Sequence, residues 1–100
     1  MAKVKSYNIA WAAPVDADVV GYNLRWAWGS APTGNETPFY IAGKATTTVQ
    51  IPVAGMTANE GELYLALTAL DDVGNESDPA VLHFPFDIVA PGPPTNLRLL

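Results

Sequence analysis

The chain of 100 residues has no cysteine and a single histidine, His83. Without cysteine there is no disulfide framework and no thiolate zinc site. Five basic residues stand against ten acidic ones, which gives a net charge of −5, and they form no stripe. Nucleic acid is therefore not expected as a partner. The longest apolar run, residues 63–70, is too short to cross a bilayer, so we expect no membrane insertion.

The first six residues also lack the hydrophobic segment of a signal peptide. This favours a chain made in the cytosol, a piece trimmed from a longer protein, or a virion component that needs no secretion. One hundred residues is the length of one domain, and a domain of this size can bury a core without a disulfide or a metal ion to stabilise it. We expect a domain over residues 1–90 and a separate proline-rich tail over residues 91–100.

What the chain does have is short alternating segments bounded by turn residues. In residues 61–70 leucines alternate with smaller or polar side chains, and both faces carry apolar residues, which predicts a central strand. The same signals predict five further strands, at residues 5–12, 20–28, 39–42, 46–53 and 80–88. We expect 39–42 at a sheet edge, and Pro85 indicates that the last strand is frayed or lies at an edge. The predicted fold is an all-β, antiparallel two-sheet sandwich.

Aromatic residues are concentrated on the predicted inner faces of two strands. Trp11 shares its parity with Ile9, and Trp26 and Trp28 share theirs with Leu24. Such residues could form a platform for sugars, but their parity with aliphatic residues predicts a core position. Trp28 stands at the end of its strand, so exposure at one pole of the sandwich remains open for it.

No arrangement of residues in the sequence indicates catalysis. His83 is accompanied by no nucleophile motif, so we interpret it as an ordinary strand residue. Three carboxylate pairs could bind calcium or serve a glycosidase, but turn chemistry explains them: Asp16 and Asp18, Glu60 and Glu62, Asp71 and Asp72. The glycosylation sequons at Asn35 and Asn75 are read as chance matches. We expect no enzyme activity, no cofactor and no metal site.

Four stretches lie in order along the chain: Ser-Tyr-Asn-Ile-Ala-Trp at 6–11, Val-Gly-Tyr-Asn-Leu at 20–24, Gly-Glu-Leu-Tyr-Leu-Ala-Leu-Thr-Ala-Leu-Asp at 61–71 and Gly-Asn-Glu-Ser at 74–77. Together they resemble a fibronectin type III domain of the kind found in bacterial and phage surface proteins. The resemblance makes them strand B, the opening of strand C, strand F and the F–G turn, within an immunoglobulin-like sandwich. The family's tyrosine-corner position falls on Leu63, and Tyr64 comes one residue later on the opposite face.

The resemblance also implies that the opening strand A is short and that a second copy of its pattern lies at the other end. Only residues 2–5 precede strand B, whereas residues 91–94 resemble an interdomain linker and residues 95–100 a strand A. Leu97 and Leu99 share one face of that segment, with Arg98 on the other and Leu100 at the end. Three alternatives remain: the tail binds a partner, it is the remnant of a tandem array, or it lies along its own domain's edge.

The function expected from these features is that of a non-catalytic structural or interaction module. We expect a subunit of a larger surface assembly, either a virion component or an extracellular filament, with protein as its partner. The residues predicted to bind that partner are Leu97, Arg98, Leu99 and Leu100. The alternative is a spacer or carbohydrate-associated module of a multidomain secreted enzyme, although no residue supports a carbohydrate ligand. The location expected is extracellular or on the virion surface.

Overall fold

The computed structural model describes residues 6–57, 61–86 and 93–100, and within these ranges every regular element is a strand. There are six: β1 (Tyr7–Ala10), β2 (Val19–Trp28), β3 (Phe39–Ala42), β4 (Thr48–Ile51), β5 (Gly61–Asp71) and β6 (Ala80–Phe86). All six coincide with predicted strands, although β1 and β4 are shorter than expected. The predicted residue 5, residues 87–88, the opening ribbon at 2–5 and the domain boundary at 90–91 lie outside the described residues.

The strands form two antiparallel sheets. One contains four strands in the order β3–β2–β5–β6, and the other pairs β1 with β4. β5 lies between β2 and β6, which confirms the prediction of a central strand, and β3 and β6 are the outer strands of their sheet. Pro85 of β6 stands opposite Glu62. Its position in an outer strand confirms the edge predicted from the missing N–H.

The core lies between the two sheets and is built from one face of each strand. Its most buried large side chains come from four strands, β2, β4, β5 and β6: Tyr22, Leu24, Ile51, Leu63 and Phe86. Because side chains alternate along a strand, the other face of β5 carries Ala66 and Thr68, and these are buried as well. The apolar character of both faces of β5 in the sequence thus reflects burial on both sides.

The three tryptophans are partly buried and pack against the core. Trp11 meets Tyr22 edge-on with ring centroids 5.2 Å apart, and Trp28 meets Phe86 in the same way at 5.5 Å. Trp26 is half-buried against the same cluster. Trp11 and Trp26 therefore contact the core as predicted, but each is only half-buried. Trp28 is half-buried and packs against Phe86, so its side chain does not stand free at the pole of the sandwich.

The outer face of β5 carries the tyrosine that the sequence places beside the corner position. Leu63 is fully buried in the core, and Tyr64 points to the opposite side. There its ring stacks on the imidazole of His83, with centroids 4.7 Å apart. The Nδ1 atom of His83 lies 2.6 Å from Oε2 of Glu62. His83 is thus satisfied by its neighbours on the sheet, as expected for an ordinary strand residue.

Candidate interaction site

The predicted partner-binding residues lie in a segment that contains no strand, and their leucine side chains are not covered by any other part of the described chain. Leu97, Leu99 and Leu100 are 98–102 % exposed. The guanidinium of Arg98 donates from Nη1 to the backbone oxygen of Asn96 at 2.9 Å. The third alternative for the tail, an added strand on its own domain's edge, is therefore not adopted. Three leucines within six residues are thus exposed together.

An apolar groove opens between β1 and β6, the neighbouring strands of the two sheets. Its volume is about 100 Å³. Its lining is aliphatic and aromatic, and comes from β1 with the residue that follows it, and from β2, β5 and β6: Ile9, Ala10, Trp11, Leu24, Leu65, Leu67, Ala80, Val81 and Leu82. Tyr7 closes one end of this gap, because its ring packs 5.0 Å from that of Phe84 and 5.1 Å from that of Phe86. The groove therefore lies beside the other end of β1, against the start of β6.

One wall of the groove is the edge of β1 that faces away from β4. The N–H of Trp11 donates to the carbonyl of Thr47 at 3.0 Å, in line with the antiparallel β1–β4 register. Backbone groups point alternately to the two sides of a strand, so the peptide groups of Asn8 and Ala10 point away from β4. No strand among the described ranges pairs with that edge. Within the described part of the chain, this edge therefore has unpaired backbone donors and acceptors beside the apolar groove.

Trp11 forms part of the groove wall and carries a further unpaired donor. Its Nε1 is buried and has no hydrogen-bond partner among the described residues. Buried donors are usually paired. This one belongs to a residue that lines the groove between the two sheets. The sequence identified Trp11 as a core residue but gave no sign of the groove beside it.

On the outer face of the four-stranded sheet, a polar cluster holds two loops. Arg25 of β2 binds the carboxylate of Glu76 through both terminal nitrogens, and its Nε donates to the carbonyl of Glu36 at 3.1 Å. The hydroxyl of Thr68 donates to the same carboxylate. Arg25 and Thr68 together hold the pKa of Glu76 below its ordinary value. No local sequence pattern indicates this cluster, because Arg25 and Glu76 are separated by 51 positions.

A shallow pocket of about 320 Å³ lies over this cluster. Residues 32–34 form its upper wall, and the carboxylate of Glu36 fixes them by accepting from the N–H groups of Thr33 at 2.8 Å and Gly34 at 3.0 Å. These hydrogen bonds lower the pKa of Glu36 to about 2. Because the charged groups are already engaged with each other, we interpret the cluster as a clamp that joins β2 to the loops.

Of the carboxylates that could have bound calcium, Asp71 serves a local turn, whereas Glu62 lies in β5 beside His83 and is not a turn residue. Asp71 accepts from the N–H of Asn75 at 2.8 Å and from its side-chain amide at 2.9 Å, which lowers the pKa of Asp71. This Asx-type turn engages the amide of the second sequon. Within the described ranges, no group of three or more histidine or acidic side chains is placed to hold a metal ion. Glu60 of the second carboxylate pair lies outside those ranges.

Comparison of the chain with protein-family models, with curated proteins and with solved structures finds no match. Among the described residues there is no helix of the length and hydropathy needed to cross a membrane. The tail, the groove and the edge of β1 that faces away from β4 are therefore the features from which a function can be inferred.

Proposed function

We propose that this protein is a non-catalytic structural module and a subunit of a larger surface assembly, a virion component or an extracellular filament. Its C-terminal tail is the segment that binds the neighbouring subunit. One observation carries the proposal: Leu97, Leu99 and Leu100 are exposed to solvent and contact no other part of the described chain. Apolar side chains grouped in this way mark a surface that is covered in a complex.

The proposal includes a fibronectin type III-like sandwich as its scaffold. The strand pairing supports this type, because β1 and β4 take the places of strands B and E in one sheet. β2, β5 and β6 then correspond to strands C, F and G of the other sheet. Fold analogy alone does not determine function, so the tail remains the basis of the functional proposal.

The energetics favour association of moderate strength. Covering two leucine side chains contributes roughly 3–6 kcal/mol, and ordering the tail opposes part of this gain. Backbone hydrogen bonds to a neighbour would add to it. A contact between the tail of one subunit and a different surface of the next is heterologous, so repetition of this contact produces a ring or a filament.

The test is the particle mass of the full chain as a function of protein concentration. We expect the mass, measured by sedimentation velocity and by light scattering, to rise between micromolar and millimolar concentration. The double variant Leu97→Asn and Leu99→Asn should remain at the chain mass of 10.6 kDa. A matched control replaces two exposed apolar residues elsewhere, Val15→Asn and Val73→Asn, and should assemble like the unchanged chain.

A chain that stays monomeric over the whole concentration range would contradict the assembly proposal. It would favour the alternative of a spacer module from a multidomain secreted enzyme. Equal loss of assembly in the tail variant and in the control variant would also contradict it, since general stickiness would then explain the association.

A further inference from the structure

We infer that the receptor for the tail is the groove between β1 and β6 of a second copy of this chain. In this arrangement residues 95–100 add as a strand to the free edge of β1, and Leu97 and Leu99 cover Leu82 and the aliphatic wall around it. The inference rests on the proposed function and adds to it the identity and position of the receptor surface.

Leu82 shows that the groove is an uncovered part of the core. It stands opposite Leu65 in the β5–β6 ladder and faces the same side of the sheet. Nevertheless Leu65 is 3 % exposed and Leu82 is 48 % exposed. An inward-facing leucine is left half in water only where the opposite sheet does not reach, and the gap between β1 and β6 is such a place.

The backbone beside the groove is suited to an added strand. The peptide groups of Asn8 and Ala10 point away from β4 and have no partner strand among the described ranges. An extended peptide lying along β1 would satisfy them, as in other cases of strand addition. The side chains of that peptide would alternate between the groove and solvent.

The tail has the pattern that this geometry requires. Leu97 and Leu99 fall on one face, and Arg98 falls on the other, where its guanidinium stays in solvent. Apolar cavities of about 150 Å³ hold a benzene molecule, so the groove of about 100 Å³ has room for a branched aliphatic side chain.

Charge supports the same pairing. Arg98 is the sole charged side chain of residues 93–100, whereas the chain as a whole carries a net charge of −5. Asp78 lies beside the groove, in an adjoining depression that shares Trp11 and Ala80 with it. The guanidinium of Arg98 is thus attracted to the acidic body of the neighbouring copy.

A second copy fits this role better than the chain's own tail. The groove lies beside Ala80 and Leu82 at the start of β6, whereas β6 ends at Phe86 on the far side of Tyr7. The leucines of the tail are fully exposed although an apolar groove is present in the same chain. We therefore place the contact between molecules.

The experiment blocks the receptor without touching the tail. Ala10→Pro removes the outward N–H of β1 and leaves the groups that face β4 intact, a change that edge strands tolerate. Its matched control, Ala10→Thr, keeps the N–H. Ala80→Glu puts a carboxylate at the exposed mouth of the groove, and Ala31→Glu in a loop is its control. Circular dichroism and urea unfolding establish that each variant is folded before its mass is compared.

We expect Ala10→Pro and Ala80→Glu each to weaken assembly roughly tenfold or more, with both controls unchanged. The decisive measurement mixes two variants at a concentration at which each of them alone is monomeric. Leu97→Asn/Leu99→Asn keeps the receptor and Ala10→Pro keeps the tail, so an equimolar mixture should form a closed pair of about twice the 10.6 kDa chain mass. A pair in which each partner supplies one intact half cannot grow further.

The outcomes separate the two proposals. If the tail variant abolishes assembly while both receptor variants assemble normally, the groove is not the receptor and the assembly function stands. If the mixture of complementary variants stays monomeric, the inferred contact is likewise overturned. If the unchanged chain never assembles, the proposed function fails first, and this inference fails with it.

Discussion

Leu65 and Leu82 face each other across the β5–β6 ladder, yet Leu65 is 3 % exposed and Leu82 is 48 % exposed. The two residues have the same chemistry and face the same side of the sheet. Their difference arises from position: β5 is central, whereas β6 is an outer strand beside the groove. The difference in exposure between Leu65 and Leu82 therefore shows that the core is left partly uncovered beside the groove.

Truncation of the two leucines should give unequal losses of stability. We expect Leu65→Ala to lower the free energy of unfolding by about 3–5 kcal/mol, as for a fully buried leucine. Leu82→Ala should lower it by about half of that or less, since water already reaches much of its side chain. Urea unfolding at low protein concentration, where assembly does not contribute, checks both values. Equal losses would show that Leu82 is covered in the single chain.

Gly21 should be intolerant of any side chain. A Cβ atom at this position would lie 2.6 Å from the carbonyl oxygen of Ile41 and 2.5 Å from Oη of Tyr40. The first of these is backbone in the neighbouring strand and cannot move without opening the β2–β3 pair. We expect Gly21→Ala to lower the free energy of unfolding by about 1–3 kcal/mol, measured by urea unfolding.

Removing the tyrosine side chain tests the cause of that loss. In the background of Tyr40→Ala, the substitution Gly21→Ala should remain destabilising, because the contact with the backbone of Ile41 persists. Full recovery of the lost stability in the double variant would assign the effect to Tyr40 instead. A Gly21→Ala chain as stable as the unchanged one would contradict the close approach of β2 and β3.

The buried hydroxyl of Tyr22 should contribute measurably to stability. Its Oη donates to the carbonyl of Lys44 at 2.7 Å, and the residue is 2 % exposed. Tyr22→Phe keeps the packing of the ring against Trp11 and removes this bond, at an expected cost of about 1 kcal/mol. Tyr40→Phe is the matched control. The Tyr40 hydroxyl donates to Val20 over 3.3 Å from a side chain that is 51 % exposed, so its loss should be smaller. The reverse order in thermal or urea unfolding would contradict this account.

The fold was largely predictable from local pattern, and the reason is visible in β5. Alternation of leucines with small residues indicated two buried faces, and the structure buries Leu63 on one and Ala66 on the other. Turn residues marked the ends of the strands, and Pro85 indicated an edge. The lengths of β1 and β4 were overestimated, because β-branched and aromatic residues continue past the point where the ladder ends.

The sites were less predictable because they depend on contacts between distant segments. The sequence singled out the tail through its own alternation. It gave no sign of the groove, since Leu82 carries the same inward parity as Phe84 and Phe86 and only the course of β1 leaves it uncovered. The clamp between Arg25 and Glu76 was not predicted for the same reason, because no local pattern relates a residue of β2 to one beyond β5.

The clamp and the acidic turns should make stability fall at low pH. The pKa values of Glu36, Asp71 and Glu76 are all lowered in the folded chain, to about 2 for Glu36. A carboxyl whose pKa is lower in the folded state stabilises the fold above its unfolded pKa. That stabilisation is lost as the pH falls through the folded value. We expect the urea midpoint to be constant near neutrality and to decline from about pH 5 towards pH 2.

Glu76 provides the sharpest test of that decline. Glu76→Gln should lower the urea midpoint at pH 7 and make its fall with acid shallower, because the carboxylate bound by Arg25 is the titrating group. Thr68→Val removes one of the two side chains that hold the carboxylate and keeps the shape, so its acid profile should lie between those of the unchanged chain and Glu76→Gln. An acid profile for Glu76→Gln that runs parallel to the original would mean that the clamp does not contribute to the pH dependence, which would then have to arise from turn carboxylates such as Glu36 and Asp71.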